Sequence, residues 1–117
     1  MAWIPDGNEN AVVENVTHVK LRGRLDTHGV DQIETKFTAS LVPGGRNAVV
    51  DLSELAFIAS MGLRTFIGVK KALARHGAKM VLFAPQPQVS EVFATSSLGG
   101  IIPIVGNEAE AVALIKA

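Results

Sequence analysis

The segment Asp51-Leu52-Ser53-Glu54-Leu55-Ala56-Phe57-Ile58-Ala59-Ser60-Met61-Gly62-Leu63-Arg64 holds the residues best placed for chemistry. An apolar strand ends in it, a short loop follows, and a helix opens at or just after Ser60. A hydroxyl at that point has two uses. As a helix N-cap it accepts a backbone N–H and adds ~1 kcal/mol of stability. As a phosphoryl acceptor it sets its phosphate among free N–H donors, at the positive end of the helix dipole. The phosphate brings close to two negative charges to a chain whose 11 Lys+Arg balance 11 Asp+Glu. Local physics alone ranks the cap first.

Other constellations carry less. His18, His28 and His76 fall on a strand, a loop and a helix end, and no metal-ligand spacing links them. Ser60, His28 and Asp26 supply the residue types of a hydrolytic triad, but no nucleophile-elbow pattern surrounds Ser60. Gly44-Gly45 and Gly99-Gly100 lack the following Lys-Ser or Lys-Thr of a phosphate loop and read as turns. There is no cysteine, which removes disulfides, cysteine-ligated zinc and thiol nucleophiles, and fits a reducing compartment. The expectation is a protein without cofactor, metal or catalysis.

Such residues need a scaffold. The chain has 117 residues, 48% of them apolar, which suits one domain with a packed core. Zero net charge argues against a nucleic-acid binder. No apolar run approaches the roughly 20 residues that cross a bilayer, so no membrane insertion is expected. Met1–Asn10 lacks the basic and apolar regions of a signal peptide, which makes the cytoplasm the expected location. Residues 1–10 read as a flexible arm and residues 11–117 as a single domain.

Within that domain, short strands alternate with helices, the pattern of an α/β layer fold. Ala11–Glu14 and Val16–Leu21 read as an antiparallel strand pair turning near Asn15, with Gly23 and Asp26 marking a loop. Val30, Ile33, Phe37 and Leu41 repeat on one face, predicting a helix over Val30–Leu41. Ala48–Leu52, Lys79–Ala84 and Ile101–Val105 read as buried parallel strands. Helices are predicted over Leu63–His76, with Gly77 at C′, over Val89–Thr95, and over Glu108–Lys116, whose terminal charges suit the dipole. The fold class is thus α/β, a mixed β-sheet with its first strand pair antiparallel and the rest largely parallel, packed with four helices.

Several of these segments, in order and over Ala11 to Lys116, resemble the STAS family, the anti-sigma-factor antagonists of bacterial partner switches. Gly23-Arg24-Leu25-Asp26 resembles the family's Gly-x-Leu-Asp. Val50-Asp51-Leu52-Ser53 with Phe57-Ile58 resembles its strand and loop. Ser60-Met61-Gly62-Leu63-Arg64 resembles the motif that opens its second helix, and Lys79–Phe83 with Val89–Leu98 resembles the later strand and helix. The common form of the motif is Asp-Ser-Ser-Gly or Asp-Ser-Thr-Gly. Here Ala59 replaces the acid and Met61 precedes Gly62. The pattern Ser-Ser-Ala-Gly-Leu-Arg is closer, and it maps the acceptor to Ser60.

The resemblance implies an antagonist that is not an enzyme. It would bind an anti-sigma factor that is itself a serine kinase of the histidine-kinase ATPase fold. It would be switched off by phosphorylation of Ser60 and restored by a PPM-type phosphatase. The partner contacts it implies are Asp26, Met61, Gly62, Leu63 and Arg64. Asp26 is equally suited to capping its own loop, and Met61 to filling a core gap. The alternative is the STAS subunit of a lipid-transport ABC complex, binding that transporter's ATPase.

Overall fold

The computed structural model describes residues 10–13, 16–25, 45–58 and 60–116. The helix expected at Val30–Leu41 lies outside them. Five strands form one mixed sheet in the order β1-β2-β3-β4-β5: β1 (Asn10–Val13), β2 (Val16–Leu25), β3 (Asn47–Ile58), β4 (Met80–Phe83) and β5 (Ile104–Val105). β1 runs antiparallel to β2, and β2 through β5 are mutually parallel. Among the described residues there are three α-helices: α1 (Ser60–Ala74), α2 (Pro87–Ser96) and α3 (Glu108–Lys116).

Each new parallel strand is added on the same side of the sheet. Parallel crossovers take one hand, so α1 and α2 fall on the same face. There Phe66, Val69 and Leu73 of α1 and Val89 and Phe93 of α2 pack against Val19, Leu21, Val50, Leu52, Met80 and Leu82. Ala111 and Ile115 of α3 cover the opposite face at Val16, Val49, Val81 and Phe83. Ala48, Val49 and Val50 are buried at 0%, 1% and 0% exposure. The unbroken apolar run is therefore that of a strand covered on both sides.

Three expectations are corrected. The run Ala48–Leu52 is only the first part of β3, which continues to Ile58 where a loop was expected. Leu52, Leu55 and Ile58 are the buried positions of that continuation. Their spacing of three hides the two-residue alternation of a strand. The cause is a pair of register shifts against β2, at Lys20/Arg22 and Gly23/Arg24. Gly23, read as a loop marker, instead lies in β2 at such an irregularity, a common use of glycine in strands.

The second correction is the span of α1, Ser60–Ala74: the motif's reading of a helix opening at or just after Ser60 holds, and the span Leu63–His76 read from the apolar period is moved at both ends. Its end follows the expected chemistry. Gly77 has φ +73°, its N–H donates to Ala74 O, and Ala78 N–H donates to Leu73 O. This pair of bonds is the Schellman arrangement that a glycine at C′ permits.

The third is β5, confined to Ile104–Val105 where Ile101–Val105 was expected. Leu98–Gly100 form a 3-10 turn, and the N–H groups of Ile101 and Ile102 both donate to Leu98 O. Ile102 is drawn fully into the core, so these residues coil inward and cannot extend the strand.

Candidate functional site

The β2–β3 ladder ends with Arg24 opposite Phe57 and Leu25 opposite Ile58. The chain therefore leaves two neighbouring strands at the same level. One exit leads to Asp26, which lies outside the described residues together with His28. The other leads through Ala59, also outside, to Ser60. Ser60 is the first residue of α1 and not a position ahead of it. Its backbone N–H, with those of Met61 and Gly62, is among the first N–H groups that a helix start leaves without an intrahelical acceptor. No acidic residue stands in the first turn, so the positive end of the dipole carries no carboxylate from its own helix.

Beyond that turn the helix is sorted by its period. Gly62, Thr65, Phe66, Val69 and Leu73 are buried. Arg64, Gly68, Lys71 and Arg75 recur at three and four residues and are all exposed. Ser60–Ala74 contains no Asp or Glu, so the outer stripe of α1 is cationic along its length. Thr65, the next hydroxyl along α1, is 5% exposed. Ser53 is exposed on β3, where its N–H donates to Asp51 Oδ1 at 2.8 Å and its carbonyl accepts from Gln86 Nε2 at 2.8 Å.

Leu63 is half-buried. It packs on the core and forms one wall of a groove of about 380 Å³, with Val92, Gln88, Glu91, Thr95 and Ser96 of α2 on the other side. Sequence reasoning missed α2 as part of this surface. The signal was present: Gln88, Glu91, Thr95 and Ser96 recur at helical spacing on a face that Val89 and Phe93 leave outward. Which inward neighbour that face would meet was not legible.

Two of the three histidines are described. His18 on β2 has Nδ1 3.9 Å from Glu108 Oε1 at the start of α3, and His76 is exposed after α1. Among the described residues no group of His, Asp and Glu is arranged to hold a metal ion. No helix among them is long and apolar enough to cross a membrane.

Comparison with known proteins gives one consistent picture. The STAS domain family matches residues 9–111. BtrV of Bordetella bronchiseptica is 33% identical over 96 residues, covering 82% of this chain and 83% of its own. The anti-sigma F factor antagonist of Lysinibacillus sphaericus is 30% identical over 89 residues, covering 75% and 76%. Among solved structures, the anti-sigma factor antagonist SpoIIAA in its unphosphorylated form is 25% identical, covers 92% of this chain and 95% of its own, and superposes with a TM-score of 0.74. The phosphorylated form of Bacillus SpoIIAA is 26% identical, covers 90% and 95%, and gives a TM-score of 0.64. The Lysinibacillus protein and the unphosphorylated SpoIIAA are named for antagonism, a regulatory role, and not for a reaction.

Proposed function

The chain belongs to the STAS domain family, and from that premise we propose that it is an anti-sigma factor antagonist that binds a serine-kinase anti-sigma factor of the histidine-kinase ATPase fold. Binding uses the start and outer stripe of α1, and phosphorylation of Ser60 weakens it. A PPM-type phosphatase reverses the modification. The protein acts in the cytoplasm as a binding module, with no catalytic step of its own.

The observation that carries this reading is the opening of α1 at Ser60 with no acid in its first turn. A phosphate there meets free N–H groups and leaves the domain folded. Two neighbouring features supply the partner contact. The exposed cations Arg64, Lys71 and Arg75 favour a partner whose facing surface is acidic. The groove between Leu63 and Val92 offers apolar area at the same end of the helix. A near-dianion at Ser60 reverses the charge that the partner meets and must be desolvated on docking. A penalty of about 3 kcal/mol lowers affinity roughly a hundredfold, enough to release the partner. That SpoIIAA has been solved in both phosphorylated and unphosphorylated forms supports a switch of this kind.

The test is treatment with the serine-kinase anti-sigma factor and ATP, followed by phosphosite mapping and titration of variants. Phosphate is expected on Ser60. Ser60→Ala should bind the kinase whether or not ATP is supplied, and Ser60→Asp should bind about a hundredfold more weakly. Phosphate found only on Ser53 or another residue discards the Ser60 assignment. Equal affinity of the two variants removes the switch.

A further inference from the structure

One side chain ties the strand that leads to Ser60 to the helix that walls the Leu63 groove. Between the pairs Lys20–Asp51 and Arg22–Glu54, β3 spends two residues, Leu52 and Ser53, where β2 spends only Leu21. The extra residue makes a β-bulge, a feature that re-aims a strand. Side chains hold its backbone. Ser53 N–H donates to Asp51 Oδ1 at 2.8 Å, and Lys20 Nζ lies 2.9 Å from Glu54 Oε2 and 3.8 Å from Asp51 Oδ2. The Ser53 carbonyl accepts from Gln86 Nε2 at 2.8 Å, across 33 positions of the chain. The β3–β4 ladder ends with Asp51 opposite Phe83. Ala84, at φ +57°, then turns the chain away from the strand direction. Gln86 is the N-cap residue of α2, yet its side chain makes no capping bond. Pro87 at N1 already removes one N–H that a helix start must satisfy. The Gln86 amide reaches back to the bulge instead.

We propose, resting on the Ser60 reading above, that Gln86 is a positioning residue for the surface the kinase docks on. On one side of its bond is β3, which runs on to Ile58 and the start of α1. On the other is α2, whose Gln88, Glu91 and Val92 face Leu63 across the groove. The bond fixes α2 against the β3–α1 segment and so sets the width of the groove beside Ser60. Gln86 acts through α2 and makes no contact with the reacting groups. Its loss therefore weakens docking. Once the kinase is docked, transfer of the γ-phosphoryl group from ATP to the Ser60 hydroxyl, with release of ADP and a proton, keeps its rate. A residue that served only the stability of the fold would leave both kinetic constants in place below the melting temperature.

The experiment compares two variants of the full chain. Gln86→Met keeps the length of the side chain without its donor, and Gln86→Lys keeps an N–H donor. With the serine-kinase anti-sigma factor and ATP, Gln86→Met should raise KM for the chain about fivefold, the scale of one hydrogen bond, and change kcat less than about twofold. Gln86→Lys should return KM close to the wild-type value. In the free protein, the methyl resonances of Leu63 and Val92 should shift in Gln86→Met and return in Gln86→Lys, because the rings of Phe66 and Phe93 join α1 to α2 beneath them. Unchanged KM or unmoved methyl resonances in Gln86→Met, a fall in kcat in place of the rise in KM, or a Gln86→Lys as impaired as Gln86→Met would each overturn the proposal. A wild type that the kinase leaves unmodified at Ser60 would instead remove the reading beneath it, and that result precedes any variant.

Discussion

Leu25 pairs with Ile58 at the end of the β2–β3 ladder. Paired strands lie roughly 4.8 Å apart, so β2 and β3 end side by side. Asp26 follows its strand by one residue and Ser60 by two. The extension of β2 through two register shifts is what carries Gly23, Arg24 and Leu25 to the level at which β3 ends.

The pairing of Leu25 with Ile58 gives the first prediction. Asp26→Ala is expected to weaken binding of the kinase about tenfold, ~1.4 kcal/mol, while the melting temperature stays within a degree or two of wild type. Isothermal titration with a parallel melt reads both quantities. Full affinity in a folded variant would return Asp26 to the role of a turn residue bonding its own loop.

The cationic stripe gives the second. Arg64 is exposed on α1, on the side opposite the buried Phe66 and Val69 face, so Arg64→Glu should leave stability nearly unchanged. Surface charges of this kind act on association more than on dissociation. The expected result is a lower association rate for the kinase, and an effect that shrinks between 50 and 300 mM salt as screening shortens the reach of the charge. A loss independent of salt would point to a specific contact at Arg64 and against steering.

The core under the site gives the third. Phe66 and Phe93 meet edge to face, with ring centroids 6.4 Å apart and planes at 67°. Both are buried, at 0% and 3% exposure, and they join α1 to α2 beneath the Leu63 groove. Phe66→Ala removes a large buried ring and leaves a cavity, a loss of ~3–5 kcal/mol. Urea denaturation should show the midpoint falling with an unchanged slope. A loss under ~1 kcal/mol would mean that the two helices close over the gap.

How far the sequence reached depends on periodicity. α3 is recovered at both ends, Glu108 to Lys116, because its terminal charges and apolar spacing agree. The central strands are recovered from runs such as Ala48–Val50 and Val81–Phe83, where burial on both faces leaves no other reading. The second half of β3 was not legible. Register shifts replace its two-residue period by the spacing of Leu52, Leu55 and Ile58. Ile101–Pro103 misled for the opposite reason. Two strand-forming isoleucines, Ile101 and Ile102, gave no sign that Leu98 would hold both of their N–H groups, and Pro103, which cannot donate to a ladder, was the one signal against a strand there. At the candidate site, Ser60, Met61, Gly62, Leu63 and Arg64 were all proposed from one local motif. The α2 residues facing Leu63 come from about thirty positions further on, and only tertiary packing brings them there.

Backbone handedness gives the fourth prediction, as a pair of opposite substitutions. Gly77 has φ +73° and Ala84, the residue after β4, has φ +57°. A residue with a Cβ costs ~1–2 kcal/mol in that region, and glycine avoids the cost. Gly77→Ala should therefore destabilise the domain by ~1 kcal/mol. Ala84→Gly should stabilise it, by less than ~1 kcal/mol because glycine also loses more entropy on folding. Thermal melts of the two variants should shift in opposite directions. A stabilising Gly77→Ala would mean that the helix ends without its Schellman turn in solution.

The last prediction separates stability from binding at Ser60. The residue is the first of α1, and no acid shares its turn. A negative charge there is favoured by the dipole and by unpaired N–H groups, by ~0.3–1 kcal/mol at low ionic strength. Ser60→Asp should therefore hold or slightly raise the denaturation midpoint. Ser60→Ala should change stability by under ~1 kcal/mol, since alanine suits a helical position and only a capping role would be lost. Affinity for the kinase should move the other way, high for Ala and low for Asp. This opposition distinguishes a switch from damage. If the Asp variant binds poorly because it is unfolded, its midpoint falls with its affinity, and the charge at the helix start is not what releases the partner. If the midpoint holds while affinity drops about a hundredfold, the effect belongs to the interface, and the helix start is where the partner reads the phosphate.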